Sequence, residues 1–187
     1  MPFGALRAAR LFGRVVPPLE RTAKVAEVLP RDAEAQLKYG RALHEQGRVQ
    51  EALPRYQEAV ALQPKNSEGE FWLGLAYADT GDLEQSAAHY QRALQLDPSN
   101  AITECNYAGV LAQEGRPQEA INHYQQSLST NPKLFLAHKE LADLLANSGH
   151  FDGAIEHYNE ALRLNPEFSE AQQNLSYVLR VSARRTR

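Results

Sequence analysis

Three histidines recur at one interval in this 187-residue chain: His89, His123 and His157 lie 34 residues apart, each directly before a tyrosine. Imidazoles in register could ligate a metal, but a zinc ion needs its nitrogens at about 2 Å. Residues at equivalent places in successive helical repeats are held apart by packed helices, at roughly 8–10 Å per pair. The spacing therefore predicts polar residues on outward helix faces, with no metal and no other cofactor. No histidine pair has the i, i+4 interval of a helical zinc motif. The single Cys105 belongs to no cysteine–histidine arrangement visible in sequence, and there is no glycine-rich phosphate loop or Gly-x-Ser-x-Gly elbow. With 23 acidic residues along helical segments, some carboxylates must fall near one another without serving catalysis. These residues predict a chain that is not an enzyme.

The interval that spaces the histidines also organises the elements. A block of 34 residues runs four times without a gap from Ala33 to Phe168, and half of a fifth follows. Glycines at 47, 81, 115 and 149, prolines at 64, 98, 132 and 166, and tyrosines at 56, 90, 124 and 158 keep constant phase. A period of this size marks stacked supersecondary units. Tyr39, Leu73, Tyr107, Leu141 and Leu175 form one apolar column; Leu43, Tyr77, Leu111, Leu145 and Leu179 form another, four residues on. Between them stands a small residue (Gly40, Gly74, Ala108, Ala142, Ser176), so each block opens with a helix, helix A, whose face must be covered. The glycine column ends it through the left-handed conformation. Helix B follows, with Asp82 and Gln85 as a capping box and Pro117 suited to a first turn. Its inner face carries Ala52, Ser86, Ala120 and Ala154, then the tyrosines, then Ala59, Ala93, Ser127 and Ala161. The proline column closes helix B. Pro54, inside the first helix B, predicts a local bend and no boundary.

These columns resemble the tetratricopeptide repeat, whose Leu-Gly, Tyr, Ala, aromatic, Ala and Pro positions are mostly met from residue 33 to residue 168. The resemblance implies an all-α fold: an α-solenoid, or superhelical array, of helix–turn–helix repeats. Its repeats would span 33–66, 67–100, 101–134 and 135–168. Residues 1–32 would form a basic amphipathic segment and an N-terminal helix, and 169–187 a capping helix with a basic tail. In that last helix Leu175 and Leu179 are expected to cover helix B of the fourth repeat. Residues 19–29 read as a helix offering Leu19, Ala23, Ala26 and Leu29 to the first repeat. One departure is systematic: the family's first aromatic is replaced by Gln36, Glu70, Glu104, His138 and Gln172, which implies looser packing between neighbours.

Charge is unevenly spread. The formal net charge is −3, yet residues 1–19 (Arg7, Arg10, Arg14) and 171–187 (Arg180, Arg184, Arg185, Arg187) contain no acid. Removing those seven bases from 20 leaves 13 against 23 acids in the body, a balance of about −10. A single cysteine forbids an intrachain disulfide and fits a reducing compartment, so a cytoplasmic location is expected. The arginines of residues 1–16 share one side of a helical wheel, opposite Leu11, Phe12, Val15 and Val16. That pattern makes a mitochondrial or membrane-associated location the alternative. Four terminal arginines suit solvent, and no specific nucleic-acid binding is expected.

By the family's geometry, helices A would line a concave groove. The columns facing it hold Leu37, Lys38, Arg41, Phe71, Trp72, Leu75, Ile102, Cys105, Asn106, Lys139 and Tyr177, and also Glu140, Asp143, Ala146 and Asn174. Trp72, the only tryptophan, falls outside the packing columns. Phe71, Trp72, Leu75, Ile102 and Cys105 would make an apolar patch rimmed by charge, the usual form of a protein-binding site. Alternatively, Trp72 would pack against residues 1–30 folded back into the groove. The expected function is a non-catalytic scaffold or adaptor that binds a peptide or helix of another protein. The alternatives are a membrane- or organelle-associated assembly factor that uses residues 1–16, or a regulatory subunit of an enzyme. The places where chaperone adaptors carry a two-carboxylate clamp hold Leu37, Arg41, Trp72, Ile102 and Asn106 here, so acidic chaperone tails are not expected ligands.

Overall fold

The glycine column works through one repeated hydrogen-bond pattern. Gly47, Gly81, Gly115 and Gly149 all have positive φ, between 75° and 86°. At the first, the Gly47 N–H donates to His44 O (2.9 Å) and the Arg48 N–H to Leu43 O (3.0 Å), and the same pair recurs after each helix A. This is the Schellman closure, which satisfies carbonyls that a helix end leaves open. At the other end, the side chains of Asp32, Asn66, Asp82 and Asn100 accept backbone N–H groups as N-caps. Pro117 opens its helix, and Pro54 lies inside a helix that continues to Leu62.

The computed structural model describes residues 18–185, apart from the side chain of Arg185. Among these residues there are ten helices and no strand, with 81% of the residues helical. The chain is an all-α protein of the α-solenoid class, built from helix–turn–helix repeats. It divides into two units at Ser99/Asn100. The first holds α1 (Leu19–Val28), α2 (Ala33–Glu45), α3 (Val49–Leu62), α4 (Ser67–Thr80) and α5 (Leu83–Leu96). The second holds α6 (Ala101–Gln113), α7 (Pro117–Thr130), α8 (Phe135–Asn147), α9 (Phe151–Leu164) and α10 (Ser169–Arg185).

In the first unit, Tyr56 of α3 and Tyr90 of α5 are fully buried against the backbone of Gly40 and Gly74. A Cβ at those glycines would stand 2.6 and 2.8 Å from the rings, so only glycine admits so close a helix pair. The Ser86 hydroxyl donates to Gly74 O at 2.7 Å, joining α5 to α4. α1 seats on α2 through Thr22 and Ala26; Leu29 is exposed because the helix stops at Val28.

The second unit repeats the scheme with Tyr124 and Tyr158 buried and alanines, Ala108 and Ala142, in the small column. Its last core cluster joins Ala142, Ala154, Tyr158 and Ala161 to Ala171 and Val178 of α10, with Leu175 partly covered. Leu179 departs from expectation: it is 48% exposed. The stripe of α10 that meets the preceding helices runs through 171, 175 and 178. Leu179 occupies the column that elsewhere faces the repeat's own helix B, and α10 is the last helix described.

Three of the polar residues in the family's first-aromatic column find partners on helix B of their own repeat. Glu70 Oε2 meets His89 Nδ1 at 2.6 Å, Glu104 Oε2 meets His123 Nδ1 at 2.8 Å, and His138 Nδ1 meets His157 Nδ1 at 3.0 Å. Gln36, in the same column, donates from Nε2 to Pro30 O at 3.2 Å and closes the α1–α2 turn. The three recurring histidines therefore turn toward helix A of their own repeat and are partly buried, contrary to the outward placement expected. A buried carboxylate needs such a partner, since its desolvation is otherwise costly.

Candidate interaction site

Within the first unit the expected groove residues separate into buried and accessible groups. Leu37, Phe71, Trp72 and Leu75 are all buried, Trp72 with only 3% of its surface exposed. Its indole stacks on Tyr56 (5.9 Å between centroids, 23° between planes) and meets His44 and Phe71 edge-on at 6.0 and 5.5 Å. The Arg41 guanidinium lies 5.0 Å above the same ring and pairs with Glu68 at 3.0 Å. The expectation of an open tryptophan is thus corrected. Its place on α4 points it at residues of the preceding repeat, where the ring fills space between helices. Whether residues 1–17 also reach this region lies outside the described residues. Lys38 remains exposed and pairs with Glu34.

Within the second unit Cys105 is buried, while Ile102 and Asn106 are half-buried on α6. Lys139 is buried as well, and is held by Glu170, by Asp143 (2.9 Å) and more distantly by Glu140 (3.7 Å). Burial acts to lower its pKa, but Glu140, Glu170 and Asp143 outweigh it and raise the value. Asp143 is the hub of this cluster. Its Oδ1 accepts from the Tyr158 hydroxyl and from Asn174 Nδ2 (2.9 Å). Burial, then the bond to Asp143, pushes the Tyr158 phenol well above its ordinary pKa, so it stays a donor.

Beside this hub is a cleft of about 460 Å³, between the end of α8, the start of α9 and α10. Asp143, Ala146, Asn174 and Tyr177, all from groove columns, line it together with Phe151, Val181 and other residues. Tyr177 stands on its wall with 61% of its surface exposed. Sequence columns single out Tyr177 but not its joining with Asp143 and Asn174. The only signal available is that all three fall in groove-facing columns. The arrangement offers an amide, a carboxylate edge and an accessible aromatic ring. Among the described residues, no group of three histidine, cysteine or acidic side chains converges as a metal site. No helix among them is long and apolar enough to cross a membrane.

Comparison with known proteins agrees with this architecture. Sequence profiles described as Tetratricopeptide repeat match residues 5–67 and 47–101, and another so described matches 111–176. The chain belongs to the tetratricopeptide-repeat family. No functionally curated protein matches it in sequence. Its fold is similar to YrrB, described as a TPR protein with an unusual peptide-binding site, at 19% identity and a TM-score of 0.72, covering 88% of this chain and 85% of that one. It is also similar to TTC0263, a thermophilic TPR protein of Thermus thermophilus, at 24% identity and 0.71, covering 86% and 88%. A third is PilF of Pseudomonas aeruginosa, at 20% identity and 0.79, covering 88% of this chain and 75% of that one.

Proposed function

We propose that this chain is a non-catalytic scaffold that holds a peptide or helix of another protein on its helix-A faces. The observation that carries the reading is the cleft beside Asp143, where Tyr177 is exposed beside the buried Tyr158 and the half-buried Phe151. Exposed aromatic anchors next to satisfied polar groups are the usual centres of protein contacts. In the first unit, Lys38 and Arg41 with Glu68 offer a charged helix-A face above a closed apolar layer. The peptide-binding description of a structural relative supports the same class of activity.

A displayed random-peptide library selected on the immobilised full chain tests this. Selected peptides should lose about tenfold or more in affinity with Tyr177→Ala or Asn174→Ala. Selection of no peptide, or of peptides indifferent to both changes, would overturn the reading.

A further inference from the structure

One column changes character along the array. At the place of the family's first aromatic, the second and third repeats carry Glu70 and Glu104, each against the helix-B histidine of its own repeat. The fourth carries His138 instead, and its Nδ1 stands 3.0 Å from Nδ1 of His157. A carboxylate there can only accept the imidazole's proton. Two neutral imidazoles have a single proton between their facing nitrogens, and a metal ion that takes its place gains both lone pairs. The 34-residue interval keeps His89, His123 and His157 from sharing an ion, but the partner of His157 is a helix-A residue nineteen positions earlier.

The surroundings of the two rings suit metal ligation. The His138 Nε2–H donates to Pro132 O (3.1 Å), which fixes that ring and leaves its Nδ1 lone pair toward His157. His138 is buried and His157 half-buried, with ring centroids 5.2 Å apart and planes tilted by 36°. With metal–nitrogen bonds of about 2.1 Å, nitrogens 3.0 Å apart subtend about 90° at an ion. That is the angle between adjacent ligands of a square-planar or tetragonal ion; a tetrahedral ion would want the nitrogens about 3.4 Å apart. Each ring has only to turn about its Cβ–Cγ bond until the lone pairs meet beside the line joining them. Glu160, one turn past His157 on α9, is held by Arg163 at 2.6 Å. Among the described residues no third histidine, cysteine or acid completes the set.

We propose that His138 and His157 bind a late divalent transition ion, copper(II) in preference to nickel(II), through their two Nδ1 atoms, with water in its other positions. Copper(II) leads because imidazole affinity peaks there along the first-row series. The ion displaces the Nδ1 proton of His157, which that ring then carries on Nε2, so both rings stay neutral and no proton is released. Bound only to the folded repeat, the ion clamps α8 to α9. The site is toward the start of α8, whereas the cleft beside Asp143 is at its end, so the two are separate.

Copper(II), titrated into the full chain and followed by electron paramagnetic resonance and thermal melting, tests this. The first equivalent should bind with a Kd of about micromolar, show hyperfine coupling to two nitrogens, and raise the thermal midpoint. His138→Glu rebuilds the acid–imidazole pair of the second and third repeats. That variant should keep the fold by far-UV circular dichroism while the coupling falls to one nitrogen. His157→Gln should weaken binding about tenfold or more. His123→Gln, at a ring paired with Glu104, and Tyr177→Ala, in the cleft, should leave it unchanged. A Kd weaker than about 0.1 millimolar, or a two-nitrogen signal that survives both His138→Glu and His157→Gln, would overturn the inference. So would an equal loss in His123→Gln, the mark of an adventitious ion only.

Discussion

His44 Nε2 and Asp79 Oδ2 meet at 2.7 Å with 1% and 3% of their side chains exposed, tying helix A of the first repeat to helix A of the second. The other ring nitrogen of His44 faces the Tyr56 hydroxyl at 3.3 Å, so one imidazole links three helices. A buried polar bridge of this kind fixes the register of two neighbouring repeats, because its loss strands groups that water cannot reach.

Asp79→Ala should therefore cost about 2–4 kcal/mol, by leaving the imidazole buried without its acceptor. Asp82→Ala, three residues on, removes only an exposed N-cap and should cost about 1 kcal/mol. Urea unfolding followed by circular dichroism compares the two, and equal losses would contradict the bridge.

Trp72→Ala should behave as a core mutation. Removing an indole packed against Tyr56, His44 and Phe71 opens a cavity worth about 3–5 kcal/mol. The thermal midpoint should drop by several degrees or more, whereas Lys38→Ala on the exposed face of α2 should change it little. An unaltered midpoint for Trp72→Ala would return the residue to the open surface.

The His138–His157 pair predicts a pH dependence. His138 Nε2 faces Pro132 O at 3.1 Å, which fits an Nε2–H tautomer whose Nδ1 accepts from His157. Burial, then the charge of His138 when protonated, lowers the His157 pKa below its ordinary value of 6.5. The fold thus favours the neutral ring. Its contribution is present above the unfolded pKa and is lost as pH falls through the lower folded value. Stability should decline on acidification below about pH 6.5, and less steeply in His157→Gln. Parallel profiles for wild type and variant would exclude the pair as the cause.

Deleting residues 169–187 should cost several kcal/mol. It strips Ala171, Leu175 and Val178 from the last core cluster, and Glu170 and Asn174 from Lys139 and Asp143. Val178→Asp should reproduce most of the loss, and Leu179→Asp, on the exposed stripe, very little. An unchanged melting curve for the truncated chain would show α10 to be dispensable.

The repeat itself was determined by sequence. Glycines with positive φ, the cap at Asp82, and tyrosines against small residues depend on local geometry and on periods within one block. Such signals are read directly from spacing, because a helix converts spacing into a face. Residues 1–16, in contrast, lie outside the described residues, so the expectations placed on them stand only as sequence. Tertiary structure decided which polar residues are partners. Glu70 finds His89 nineteen residues away, and His44 finds Asp79 thirty-five away, across helices whose rotation no single column reveals. It also decided that Trp72 is covered while Tyr177 is open, although both fall in groove-facing columns. A column fixes a direction from the helix axis, but exposure depends on what the neighbouring helix places there: for Trp72 a tyrosine and a histidine, and for Tyr177 a cleft.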